Sequence, residues 1–109
     1  MAVTPARARK LALSLENVAE KPHVDRTAFR TPRKIFATLA GDGSDINLMF
    51  DLDHQEFYCA QDPAFTPLPG GWGRMGITRC DLAIVEEDAL LGALTAAHGL
   101  AAAKGKQKA

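Results

Sequence analysis

Ala28-Phe-Arg-Thr-Pro-Arg-Lys-Ile-Phe-Ala-Thr-Leu-Ala40 reads as two short strands joined by a basic turn. Thr27 to Arg30 is the first strand. Thr31-Pro-Arg-Lys34 is the turn, with proline at the position whose φ it presets. Ile35 to Ala40 is β-branched and aromatic, which suits a half-buried pleated surface. Gly41-Asp-Gly-Ser44 then supplies the positive φ angles of a hairpin loop. Asp45 to Asp51 alternates, with Ile46, Leu48 and Phe50 on one side and Asn47, Met49 and Asp51 on the other. A period of two with one apolar side predicts an antiparallel strand with one buried face. The two segments are therefore expected to pair antiparallel, with Ile46, Leu48 and Phe50 toward the core.

Working outward, Thr4 before Pro5 marks a helix start: a capping hydroxyl, then a residue whose missing N–H costs nothing at the first position. Ala8, Leu11, Ala12 and Leu15 recur at three and four, which predicts a helix over about Pro5 to Asn17. Val18 to Arg26 contains Pro22 and reads as a loop or a short irregular strand. Asp53, with Glu56 three residues on, reads as the capping box of a short helix to about Gln61. Asp62 to Gly71 is rich in proline and glycine and reads as a loop. Trp72 to Asp81 is the last strand, which places the only tryptophan on a glycine-spaced strand. From Val85 a long helix follows, with Leu90, Leu94, Ala97 and Ala101 as its stripe, Leu91 and Leu100 broadening it, and Glu86, Glu87 and Asp88 at its positive end. The order helix, antiparallel strands, helix predicts an α+β fold, its two terminal helices on one face of the sheet and the other face largely open. One domain is expected over residues 1–104, with a basic flexible tail at 105–109.

The composition excludes several classes of function. Thirteen basic residues balance thirteen acidic ones in 109 residues, so no global field draws the chain to polyanions, and any such binding needs a local patch. Leu11-Ala-Leu-Ser-Leu15 is too short for an export signal and no run reaches the ~18 residues of a membrane span. Cys59 and Cys80 are too few for a disulfide framework and read as free thiols of a cytoplasmic protein.

The motifs that would carry chemistry are weak. Gly71-Trp-Gly-Arg-Met-Gly76 matches the dinucleotide fingerprint in letters, but that fingerprint needs a strand before it and a helix opening on it. Here it follows a proline-rich loop and is read as entering a strand, its glycines allowing close backbone approach. His23, His54, His98, Cys59 and Cys80 show no metal-ligand spacing, so no metal or cofactor is expected. Ser14 and Ser44 lie outside any nucleophile motif, and Cys59 reads as a core filler. No enzyme is read here. The remaining signal is basic: Arg30, Arg33 and Lys34 around one turn, and Arg74 and Arg79 near Trp72. These six residues are the candidate nucleic-acid site, the cations for phosphate and Trp72 for a base.

Phe29, Lys34-Ile-Phe-Ala-Thr-Leu39, Asn47-Leu48, Pro67, Trp72-Gly-x-x-Gly-x-Thr78 and the alanine-rich closing helix together resemble the MmcQ/YjbR family, over about Ala6 to Lys104. The resemblance implies a CyaY-like α-β-α two-layer sandwich, a "double-wing" DNA-binding role and no catalytic activity. The chain departs from the family pattern at His98, where an aromatic residue, typically tryptophan, is common. Iron binding of the frataxin kind would use an acidic first helix, whereas this one carries Arg7, Arg9 and Lys10. The expected function is a small cytosolic binding protein, contacting DNA or another nucleic acid through the open sheet face and the basic turn. The alternative is a protein-interaction or small-ligand module. A monomer or weak homodimer with no membrane association is expected.

Overall fold

The β-branched and aromatic run at 35–40 becomes the strand on which the sheet is organised. The computed structural model describes residues 2–103. The elements are α1 (Pro5–Leu13), β1 (Ala19–His23), β2 (Arg26–Arg30), β3 (Ile35–Ala40), β4 (Asp45–Met49), α2 (Leu52–Gln61), β5 (Phe65–Pro67), α3 (Gly70–Arg74), β6 (Ile77–Asp81) and α4 (Glu87–Ala102). The six strands form one antiparallel sheet in the order β1-β2-β3-β4-β6-β5. The protein is α+β, with its terminal helices packed together on one face. The expected tail at 105–109 lies outside the described residues.

The hairpin forms as its alternation predicts. Ala37 pairs with Leu48 and Leu39 with Ile46, and Ile46, Leu48 and Phe50 are buried. Phe29, Cys80 and Phe65 stand on the same face of neighbouring strands and join the same core. Helix α4 closes that core with Leu90, Ala93, Leu94, Ala97 and Ala101, and α1 adds Ala8, Leu11 and Ala12.

Between β2 and β3 the register slips: Phe29 lies opposite Ala37, but Arg30 lies opposite Ile35. Phe36 is the extra residue of this bulge, and a bulge re-aims the side chain that it carries. The Phe36 ring is fully buried and meets the edge of His98 on α4, with centroids 5.3 Å apart. His98 also donates from Nε2 to the Glu16 carbonyl at 2.7 Å. The histidine is thus accommodated by an aromatic contact on one side and a carbonyl on the other.

Four local expectations are corrected. Helix α1 stops at Leu13, not Asn17, because Ser14 turns its hydroxyl back onto the Leu11 carbonyl and Asn17 takes a left-handed φ of 59°. Of the two readings left open for 18–26, loop or short strand, the strand is the one that forms: residues 19–23 make an edge strand that tolerates Pro22 because one side of it needs no partner. Asp51, not Asp53, caps α2, accepting from the His54 N–H at 2.9 Å. The loop at 62–71 contains the three-residue strand β5.

The fourth correction concerns Trp72, which stands on the short helix α3 and not on a strand. Segment 71–76 therefore follows a strand and opens a helical turn, but that turn is five residues long and joins antiparallel neighbours, not the parallel pair of a dinucleotide fold. Its glycines serve close packing. A Cβ on Gly73 would collide with the Leu68 carbonyl, and one on Gly76, at φ +115°, with the Phe50 and Asp51 backbone. Gln55 holds the segment from α2, donating from Nε2 to the Gly73 and Ile77 carbonyls at 2.9 and 3.2 Å.

Two measurements check this account. Leu48→Ala removes a fully buried side chain and should cost about 2–5 kcal/mol in urea unfolding. Asn47→Ala, on the opposite face and with a buried Oδ1 that has no partner, should cost far less. Asp51→Ala should lower stability by about 1 kcal/mol and Asp53→Ala by clearly less. Partial burial pushes the Asp51 carboxyl up, but the hydrogen bonds from the His54 N–H and ring outweigh it and leave the group below its ordinary range. A lowered carboxyl contributes stability above its unfolded value and loses it as pH falls through the folded one. The gap between wild type and Asp51→Ala should therefore close in acid.

Candidate nucleic-acid interface

Pairing registers define three rows across the face away from the terminal helices. The central row is Ala28, Thr38, Asn47, Arg79 and Thr66. Toward the 41–44 loop lies a charged row in which one carboxylate holds two arginines. Arg26 Nη2 meets Asp45 Oδ1 at 2.7 Å, and Arg79 Nε reaches across to Asp45 Oδ2 at 3.0 Å. Arg79 also lies 4.0 Å from Asp81. Toward the 31–34 turn lies a row of different character: Arg30 opposite Ile35, then Met49 opposite Ile77.

This last row floors a groove of about 550 Å³. Arg33 and Lys34 of the turn form one wall and Trp72 and Met75 of α3 the other, with Leu100 and Ala101 of α4 closing the end. Trp72 is 64% exposed and Met75 65%, large values for apolar side chains that flank a cavity.

Thr31 builds the cationic wall. Its hydroxyl oxygen accepts from the N–H groups of Arg33 and Lys34, both at 3.1 Å, and its N–H donates to the Lys34 carbonyl at 3.0 Å. The same hydroxyl lies within donating distance of the Lys34 carbonyl at 3.1 Å and of the Ala101 carbonyl at 3.4 Å. Thr31 is only 1% exposed. It therefore fixes the turn's shape and ties it to the C-terminal end of α4. Arg30 folds along the turn, donating to the carbonyls of Thr31 and Arg33 at 3.2 and 3.4 Å. Thr31 was not among the residues singled out from sequence, although a threonine before proline and two cations is a legible turn signal.

Ion pairing separates the arginines into two sets. Arg7 is bidentate on Glu87 and Arg9 on Glu20, and these contacts lower both glutamates, through hydrogen bonds first. Arg26 and Arg79 share Asp45. Arg30, Arg33, Lys34 and Arg74 have no carboxylate partner among the described residues. Of the six candidates, the groove gathers Arg30, Arg33, Lys34 and Trp72. Arg74 lies back along α3 toward Gly71 and does not line it. Arg79 belongs to the neutralised row.

The thiols offer little as nucleophiles. Burial first, then the nearby Asp62 and Asp81 charges, pushes Cys80 up to about 12, and burial raises Cys59 as well. Ser14 is bonded to a carbonyl and Ser44 to Asp42, neither to a histidine. No group of three or more metal-ligating side chains comes together among the described residues.

A six-stranded antiparallel sheet with its terminal helices on one face, and a basic, aromatic-flanked groove at the strand ends where α4 closes it, defines a small α+β domain. The YjbR family profile matches residues 13–100, a span that includes all six candidate residues, and the chain belongs to that family. No curated protein and no solved structure matches it.

Thr31→Val should lower stability by about 1–3 kcal/mol, because two turn N–H groups lose their acceptor. Thr31→Ser, which keeps the hydroxyl, should recover most of that loss in the same denaturant titration.

Proposed function

We propose that this protein binds nucleic acid, with the groove between the 31–34 turn and α3 as the contact and phosphates held by Arg30, Arg33 and Lys34. The observation that carries the reading is the coincidence, in one cavity, of three cations that have no carboxylate partner, Arg30, Arg33 and Lys34, with the exposed Trp72. Phosphate contacts supply affinity and an aromatic face supplies stacking. The reading narrows the expected surface: the charged row around Asp45 is neutralised, so the interface is the groove end of the sheet and not the whole open face. Arg74 and Arg79 are peripheral in this reading.

The protein acts by binding and not by turnover, and it does so as a cytoplasmic protein. Unpaired Cys59 and Cys80 support the compartment. Among the described residues no helix is long and apolar enough to cross a membrane. The second reading, a site for a small amphipathic anion or an acidic protein segment, is favoured by the apolar floor of Ile35, Met49 and Ile77. It takes over if nucleic acid does not bind.

The test is a titration with DNA and RNA at two salt concentrations. Binding should weaken steeply with salt, by about 0.7 to 0.9 in log–log slope per phosphate contact. Arg33→Ala with Lys34→Ala should weaken binding and flatten the slope by about one to two contacts' worth, with thermal stability little changed because both charges are exposed. Absence of retardation of any nucleic acid by the wild type at low salt and micromolar protein would end this reading.

A further inference from the structure

We infer that the groove selects an unpaired strand over a duplex, seating one base against Trp72 with its neighbouring phosphates on Arg33 and Lys34. The inference rests on the nucleic-acid reading above and deepens it. Three independent features point to a single strand.

The first is shape. The turn and α3 stand at the ends of β3 and β6, with only β4 between those strands, so the groove is two strand spacings wide, roughly 10 Å. Its volume of about 550 Å³ is in the range of small-ligand pockets and suits one or two nucleotides. A duplex can lie over such a groove but cannot enter it.

The second is chemistry. The floor of Ile35, Met49 and Ile77 and the Trp72 and Met75 wall are apolar. In a duplex the flat faces of the bases are stacked on one another, and the surface offers phosphates and base edges. Away from its ends a duplex has no base face to offer an indole, whereas every unpaired base has one.

The third is the distribution of charge. A duplex laid along the open face would continue from the groove onto Arg26 and Arg79, which Asp45 and Asp81 already neutralise. Beyond them the far end of the face is acidic, where Asp25, Asp42 and Asp45 line a hollow with Arg26. Three cations without a carboxylate partner, Arg30, Arg33 and Lys34, gather at the groove, enough for the few phosphates that flank one or two bases, while Lys10, Lys21 and Arg74 do not line it.

The single tryptophan makes the experiment direct. A mixed-sequence DNA dodecamer and its blunt duplex are titrated into the wild-type protein at low salt, following Trp72 emission and anisotropy of a labelled strand. The single strand should bind at least about tenfold tighter and quench Trp72, and the duplex should leave the emission unchanged. Trp72→Ala should lose about tenfold or more on the single strand, the worth of one base–aromatic stack, with duplex affinity unchanged. Trp72→Phe should retain most of the affinity, and its melting curve guards against a folding artefact. Equal or tighter duplex binding, or single-strand binding without quenching, overturns the inference and leaves the nucleic-acid reading in place. No binding to either form overturns both.

Discussion

Helix α4 lies on β3 and β4 through Ala93, Leu94, Ala97 and Ala101, and small residues at three of those four positions let it settle close to the sheet. Ile46 and Leu48 are buried beneath it. Each side chain sealed there contributes on the order of 1.5–3 kcal/mol from apolar burial. The same docking sets the far end of the molecule, because the carbonyl of Ala101, in the last turn of α4, is the one that the Thr31 hydroxyl faces. The position of the basic turn is thus inherited from the packing of the core. The groove wall is as rigid as the contact between helix and sheet.

A net charge of zero conceals a segregation. Four arginines are committed to carboxylates on helices or on the sheet, and most of those pairs are exposed enough to contribute little to stability. Their effect is on the field: these pairs cancel their own charges and leave Arg30, Arg33 and Lys34 together, uncancelled, at one rim. A protein without a global positive potential can still offer a polyanion one local contact, and this arrangement restricts where that contact falls. The apolar floor beside the rim then asks for a ligand that is anionic on one side and flat on the other.

Much of the fold was legible in the sequence, for reasons that can be named. The alternation of Ile46, Leu48 and Phe50 and the loop at 41–44 are local signals, and the stripe of Leu90, Leu94, Ala97 and Ala101 is another. What escaped depends on contacts remote in sequence. Residues 70–74 have poor helix formers at three of five positions, and they are held in a turn by Gln55 from α2 and by the Gly73 contact with Leu68. Strand β1, legible only as a loop or a short irregular strand, is exposed at all five residues and exists because β2 offers it an edge. Asp51 and Asp53 differ by two positions, and only the backbone decides which of them reaches the helix N–H groups. The site divided in the same way. Arg30, Arg33 and Lys34 are neighbours in sequence and remain neighbours in space. Trp72 joins them only through the strand order, and Arg79 leaves them because Asp45, 34 residues away, claims it.

Asp45 gives this surface an unusual evolvability. A carboxylate that serves two arginines balances this group of charges: with it, Arg26, Arg79, Asp45 and Asp81 sum to zero, and without it they sum to +1, with Arg26 held by Thr38 alone and no carboxylate. A change to asparagine needs a single base substitution and keeps the side-chain volume. The step from a neutralised pair of arginines to a pair with one free charge on this face is therefore one mutation long, and the reverse step is equally short. Descendants of such a chain could acquire or shed a long polyanion footprint without disturbing the core on the other side of the sheet.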